Sequence, residues 1–412
     1  MVVFQALTWE ARDVESEHLI TILGRTEDDK SVAVTTPFKP YFFVKLHQRE
    51  NNRDALQTLF KKIPKAVNYE IVKSKDLWGF QNNESFMFMK LNFNTLSDMK
   101  FCDRKLSKPL GDDPVARRVY ESNIDPLLRL MHRTGISSTG WLDVTSCTRS
   151  HLCRVDIDLF CNDWKTLKSF ARDKNAPFHV ASFDIETHSS TGKFPDSNIP
   201  GDAVFQIALT LKRLGELEIY NKTCLCYKQT APVDCGNIVC FESERDLLVA
   251  FKNFLFEHDI DIMTGWNIFG FDLEYLYTRA VICGCVEEFS HLGKIKDMET
   301  KMVYKKLSSS ALGDNLLKML PMSGRYIFDL FQEVKREQKL DSYSLNHVSK
   351  VFLDDQKIDM SPKEMFARFA EGDPVKLSEV AEYCIKDTLL PHRLMDKLCN
   401  LLNLFEMAKA TW

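Results

Sequence analysis

The apolar run at residues 178–183 ends in two acids, Asp184-Ile185-Glu186. A run of this length and character reads as a buried strand. Strand side chains alternate with period two, so Asp184 and Glu186 point to the same side. Two carboxylates side by side at the end of a buried strand repel each other and lose hydration. A divalent cation removes that cost, and hard cations take oxygen ligands. The competing reading is a polar strand end fraying into solvent, and the pair alone does not choose between them.

C-terminal to this run, strands alternate with helices, which argues an α/β domain. Residues 189–202, rich in Ser, Gly, Pro and Asp, read as a loop crossing the top of the sheet. Residues 204–211 read as a strand with residues 216–220 as its hairpin partner, residues 242–257 as a helix, 260–265 as a short strand and turn, and 273–280 as a helix. The chain N-terminal to the run is strand-rich. Strands are expected at residues 2–7, 19–23, 31–34, 41–44, 86–91 and 151–160, with helices at 54–62 and 122–133, the latter stopped by Gly135. The expected architecture is therefore a β-rich α+β N-terminal domain, residues 1–175, followed by an α/β domain with a mixed sheet and flanking helices, residues 176–412. The boundary falls at Asp173-Lys174-Asn175-Ala176-Pro177.

Composition narrows the class. The 412 residues are 44% hydrophobic and 27% charged, as in an ordinary globular protein. No run is long enough to span a membrane, and no basic segment followed by an apolar one opens the chain as a signal peptide would. The twelve cysteines form no CxxC pair. Free thiols in a reducing compartment are the expectation. A net charge of −4 is not that of a general DNA coater, although acids gathered at a metal site can hide a local basic groove in the sum.

Two further acids join the first pair. Asp272, in Gly265-Trp266-Asn267-Ile268-Phe269-Gly270-Phe271-Asp272, stands where a helix should begin. It is either an N-cap or a carboxylate held near the first pair. Val380, Tyr383, Cys384 and Asp387 share one face of a helix over residues 378–390. An inward Asp needs a cation or a donor, and Pro391 is expected to end or kink that helix.

Together, Phe183-Asp184-Ile185-Glu186-Thr187, Asn267 with Phe271-Asp272, and Tyr383 with Asp387 resemble the three exonuclease motifs of family-B DNA polymerases, in order. Tyr120-Glu121-Ser122-Asn123-Ile124, Gly324-Arg325 with Asp329-Leu330, and Asp341-Ser342-Tyr343-Ser344-Leu345-Asn346 resemble the delta-type branch, which includes large DNA viruses. Phe38-Lys39-Pro40-Tyr41-Phe42 is similar to the family's N-terminal domain. The resemblance covers essentially the whole chain.

It implies a ribonuclease-H-like exonuclease fold and proofreading hydrolysis of the 3′-terminal phosphodiester of DNA, releasing nucleoside monophosphates. It implies two Mg²⁺ ions, with Mn²⁺ able to substitute, about 4 Å apart. Asp184 would bridge them, Glu186 and Asp387 would complete the first, and Asp272 would hold the second. Tyr383 would orient the attacking water, since a phenol of pKa near 10 is a poor base at neutral pH. Asn267 and Phe271 would contact a single-stranded or frayed 3′ end of DNA. Residues 305–321 resemble the place of a strand-parting hairpin but are poor in strand formers. Lys305-Lys306 and Lys335-Arg336 are candidate phosphate contacts. The family's polymerase motifs are absent from these residues, so no primer extension is expected of this chain alone. A separately made polymerase half and a sliding clamp are the implied protein partners, in the nucleus or at a cytoplasmic viral replication site. Two rival readings stay open at this point: a silent polymerase-associated DNA-binding scaffold, and a free-standing 3′-5′ exonuclease acting on DNA or RNA.

Overall fold

The computed structural model describes residues 2–47, 52–108, 118–309, 313–355 and 360–411. Two sheets dominate. The first has seven strands in the order Leu167–Phe170, Trp141–Val144, Val2–Val14, Glu17–Arg25, Ser31–Pro37, Ile157–Phe160, Thr148–Arg149. Beside it lies a four-stranded sheet, Asn68–Ser74, Phe86–Asn92, Tyr41–Lys45, Val119–Tyr120. The second large sheet has six strands in the order Asn237–Phe241, Ile219–Tyr227, Val204–Arg213, His179–Thr187, Ile262–Gly265, Tyr326–Asp329. It is mixed: His179–Thr187 runs antiparallel to Val204–Arg213 and parallel to Ile262–Gly265.

Strand alternation decides what faces what in this second sheet. Ala181, Phe183 and Ile185 join the core formed with Leu247, Leu248, Phe251 and Leu255 of the helix Glu244–Glu257. That helix starts at Glu244, two residues after the expected start, because the Ser243 side chain caps the amide of Asp246. The even positions, including Asp184 and Glu186, take the opposite face, where the 25-residue helix Pro374–Leu398 packs. Among the polar contacts that hold that helix in register along Val204–Arg213, Gln206 donates to the Leu377 carbonyl, Thr210 to the Thr388 carbonyl, and Lys212 pairs with Asp396.

Several expectations need correction. The helix does not end at Pro391; it continues to Leu398, because Leu390, Leu394 and Met395 stay buried on its inner face. Their packing outweighs the roughly 3 kcal/mol that an internal proline costs. The strand expected at 151–160 shortens to Ile157–Phe160, since the Asp158 side chain takes the Cys153 amide and folds the first half into a loop. The helix expected at 122–133 begins at Pro126, capped by Asp125, and ends at Gly135 in the left-handed conformation. At the place where the resemblance implies a hairpin, Val303–Ser309 and Gly313–Met319 do pair as two antiparallel strands despite their poor strand propensity. Its base is tied to the turn after Ile262–Gly265 by the Lys318 amide bonding the Phe269 carbonyl. Finally, not all thiols are free. Phe160 pairs with Thr148 in antiparallel register, which sets Cys147 and Cys161 face to face in a disulfide. Among the described residues no helix is long and apolar enough to cross a membrane.

Candidate active site

The paired acids sit at the C-terminal end of the central strand His179–Thr187. Ligand atoms of Asp184, Glu186 and Cys384 all lie within 4.8 Å of one another. The carboxylates therefore converge, as period-two alternation requires. Cys384 enters because it lies on the inward face of Pro374–Leu398, and sequence reading did not count it among the site residues. Burial pushes its thiol up to about 12, with the charges of Glu186, Asp184 and Asp387 adding to the effect. A neutral thiol is a poor ligand for a hard cation, so Cys384 is a neighbour of the carboxylates; its Sγ donates to the Asp184 carbonyl at 3.7 Å.

Asp272 is the first residue of the helix Asp272–Ile282, and the N-cap is Phe271 with no side-chain capping bond. The capping role is thereby excluded. Asp272 is 4% exposed. Burial first, then the charge of Asp184, hold its carboxyl well above the usual carboxylate range. Asp387 is 2% exposed on the helix face that looks onto the central strand, one turn from Tyr383. The Tyr383 ring packs in a cluster with Phe205, Met365, Phe369, Leu377 and Val380. Asp184, Glu186, Asp272 and Asp387 thus come from a strand end and two helices that all face one region. The cluster of negative charge suits a divalent cation with oxygen ligands, and Asp184, Glu186, Asp272 and Asp387 are the residues that could hold one.

A cleft of about 470 Å³ opens on Asp184 and is lined by Trp266, Asn267, Phe331, Tyr343, Ser344 and Leu345. That volume falls within the range of ligand pockets, about 300–1,000 Å³. Asn267 lies on its wall with φ +63°, in the left-handed region. Gly265, just before it, has no room for a side chain: a Cβ there would come within 2.6 Å of the Phe183 carbonyl. Phe271 is half-buried, and its ring meets Tyr275 at 5.0 Å and Phe194 edge-on at 5.5 Å.

Phe194 was missed by the sequence reading, yet it is 80% exposed at the edge of the site. A lone aromatic in the polar loop 189–202 was the available signal. That loop is anchored. Asp202 accepts from the Ser190 amide and hydroxyl, and the buried Arg279 bonds the Ile199 and Pro200 carbonyls while pairing with Glu244 at 2.7 Å. Of the basic candidates, Arg336 pairs with Glu333, while Lys305 and Lys306 stand exposed on the hairpin.

A mixed sheet whose central strand ends in paired acids, faced by two helices that each supply another, defines an α/β domain of the exonuclease type. Residues 117–348 match the model of the DNA polymerase family B exonuclease domain. The chain is 30% identical over 424 residues to a DNA polymerase of Paramecium bursaria Chlorella virus NY2A, covering 98% of this chain and 45% of that protein. It is 33% identical over 427 residues to the DNA polymerase delta catalytic subunit of Arabidopsis thaliana, covering 95% and 38%. The fold is similar to that of a family B DNA polymerase from the archaeon Pyrobaculum calidifontis, with a TM-score of 0.67 at 18% identity, covering 99% of this chain and 47% of that one. The chain belongs to DNA polymerase family B and carries its exonuclease domain. It spans less than half the length of these relatives.

Proposed function

We propose that this chain is the 3′-5′ proofreading exonuclease portion of a replicative family-B DNA polymerase. It would remove nucleoside monophosphates from a single-stranded or frayed 3′ end of DNA. The observation that carries this reading is the convergence of Asp184 and Glu186, whose ligand atoms lie within 4.8 Å of each other, with the buried Asp272 beside Asp184. Bound divalent ions, Mg²⁺ by preference for an all-oxygen donor set, would supply a nucleophile from water and stabilise charge on the phosphate. Asp184, Glu186, Asp272 and Asp387 are the residues that would hold them.

The rest of the chemistry falls to the chain's own side chains. Tyr383, fixed by the aromatic cluster around it, would present its hydroxyl to the attacking water. Asn267 and the cleft beside Asp184 would receive the terminal nucleotide. Phe271 and Phe194 offer an aromatic edge on which a displaced base can stack. Exposed Lys305 and Lys306 on the hairpin strand Val303–Ser309 would approach the phosphate backbone, with the hairpin itself dividing the strands. A division of the chain near residue 175 belongs to the same reading. It is supported by the last strand of the seven-stranded sheet ending at Phe170 and the central strand of the second beginning at His179. A polymerase half and a sliding clamp are the proposed protein partners.

The test is digestion of a 5′-labelled single-stranded oligonucleotide with and without Mg²⁺, run beside an RNA of the same sequence. A ladder shortening from the 3′ end of the DNA, dependent on metal, is the expected result. No digestion would favour the silent scaffold, and faster digestion of RNA the free-standing nuclease.

A further inference from the structure

Asp329 ends the strand Tyr326–Asp329, directly beside Gly265 in parallel register. It is 3% exposed. Its Oδ1 accepts from the amides of Asn267 at 2.9 Å and Phe331 at 3.1 Å, and its Oδ2 from the amide of Phe269 at 3.0 Å. Asn267 and Phe331 both line the cleft that opens on Asp184. One buried carboxylate therefore holds the backbone at two points of the cleft wall. It also holds the segment between the strand Ile262–Gly265 and the helix that begins at Asp272, and that segment contains the left-handed turn at Asn267. Burial raises the Asp329 carboxyl above its ordinary value even with these amides donating to it, so the bonds offset only part of the cost of burial; an apolar residue there would leave three N–H groups unsatisfied.

We propose that Asp329 is a positioning residue of the exonuclease site, acting through Asn267 and Asp272: it sets the width of the cleft and the placement of the helix start that presents Asp272. This rests on the exonuclease reading above. It makes Asp329 a buried support on which both the DNA end and the metal carboxylate depend, although it touches neither.

The test compares Asp329→Asn with Asp13→Asn in the full chain. The asparagine at 329 keeps one oxygen acceptor but turns an NH₂ group on a backbone amide. Asp13 is the control for losing a carboxylate that accepts backbone amides elsewhere: it takes those of Leu96 and Ser97 at a more exposed position, in the seven-stranded sheet away from the cleft. Supporting groups of this kind typically change metal affinity or activity by about 10–100-fold. Asp329→Asn is expected to raise both the KM for a single-stranded 3′ end and the Mn²⁺ midpoint by about tenfold. The amide of Phe269 should exchange hydrogen faster, while Asp13→Asn changes none of the three. Equal KM and Mn²⁺ midpoints in the two variants would overturn the proposal and leave Asp329 a merely structural residue. If the wild-type chain digests nothing, the exonuclease reading fails. Mn²⁺ binding followed by electron paramagnetic resonance then decides the positioning role without activity, and an unchanged midpoint in Asp329→Asn sinks it. Should Asp329→Asn not fold, Asp329→Ser, smaller and with a hydroxyl acceptor, takes its place in the same measurements.

Discussion

Arg25 Nε donates to Asp261 Oδ2 at 2.6 Å, and both side chains are buried where the seven-stranded sheet meets the six-stranded one. Lys294 pairs with the other oxygen of Asp261 at 2.6 Å, and Arg25 also reaches Asp259 at 2.7 Å. Asp261 in turn accepts the amide of His179, the first residue of the central strand. The N-terminal sheet is thus bonded to the strand that ends in the paired acids, at the end away from them. Arg25→Met leaves Asp261 and Asp259 with less cationic partnership in a buried setting. It is expected to lower stability by about 3–5 kcal/mol, as breaking a buried pair does. Urea unfolding of both proteins measures this directly, with exonuclease rate in the folded variant unchanged.

His392 supplies a pH dependence. It is buried on the inner face of Pro374–Leu398, with Nε2 donating to the Thr210 carbonyl at 2.9 Å. Burial, helped by the nearby Lys212 charge and opposed by the Thr210 bond, lowers its pKa from 6.5 to about 3. Between those values the unfolded chain holds one more proton than the folded one. Stability from this group is full above pH 6.5 and falls as pH drops towards 3, by up to about 1.4 kcal/mol per pH unit. His392→Gln should flatten that slope, which urea midpoints measured at about pH 7.5 and about pH 5, on either side of the ordinary histidine value, will reveal.

Tyr383 and Asp387 share one helix face but should fail differently. Tyr383→Phe keeps the ring in its aromatic cluster, so metal affinity and stability should hold. The loss of a water-orienting hydroxyl should slow hydrolysis by about one to two powers of ten, within the roughly 10²–10⁴-fold of proton-transfer assistance. Asp387→Asn removes a charge from the carboxylate group, so the metal midpoint should rise as well, with partial rescue by Mn²⁺. Rate against metal concentration for both variants checks the division of roles; equal shifts of the midpoint would contradict it.

Phe194→Ala should leave stability almost unchanged, because the ring is mostly exposed. If the ring stacks a base, the loss should cost about 1–3 kcal/mol of binding to a single-stranded end. The readout is KM rising with kcat preserved.

The legible parts of this fold were those governed by local pattern. The strand ending in Asp184 and Glu186, the capped helix after Ser243 and the stop at Gly135 arise from periodicity and capping, which act over a few residues. Asp272 stayed ambiguous because its character depends on Asp184, 88 positions earlier in the chain. Asp329 was noticed only as part of a resemblance. Its bonds to Asn267 and Phe269 exist because two parallel strands end side by side, which no local pattern reports. The helix runs on past Pro391 because the rule against internal prolines is a local cost, and the burial that overrides it comes from the sheet. The Cys147–Cys161 bond was hidden for a similar reason, since strand pairing rather than cysteine spacing brings the two together.

The most direct test of the site is the double substitution Asp184→Ala with Glu186→Ala. Digestion of a single-stranded DNA 3′ end in Mg²⁺ is compared with the wild-type chain, alongside a thermal melt of both. Removing two converging carboxylates should abolish digestion and leave the melt unchanged or raised, because their mutual repulsion goes with them. A double variant that shortens DNA at the wild-type rate would contradict the assignment of these two residues to the reaction.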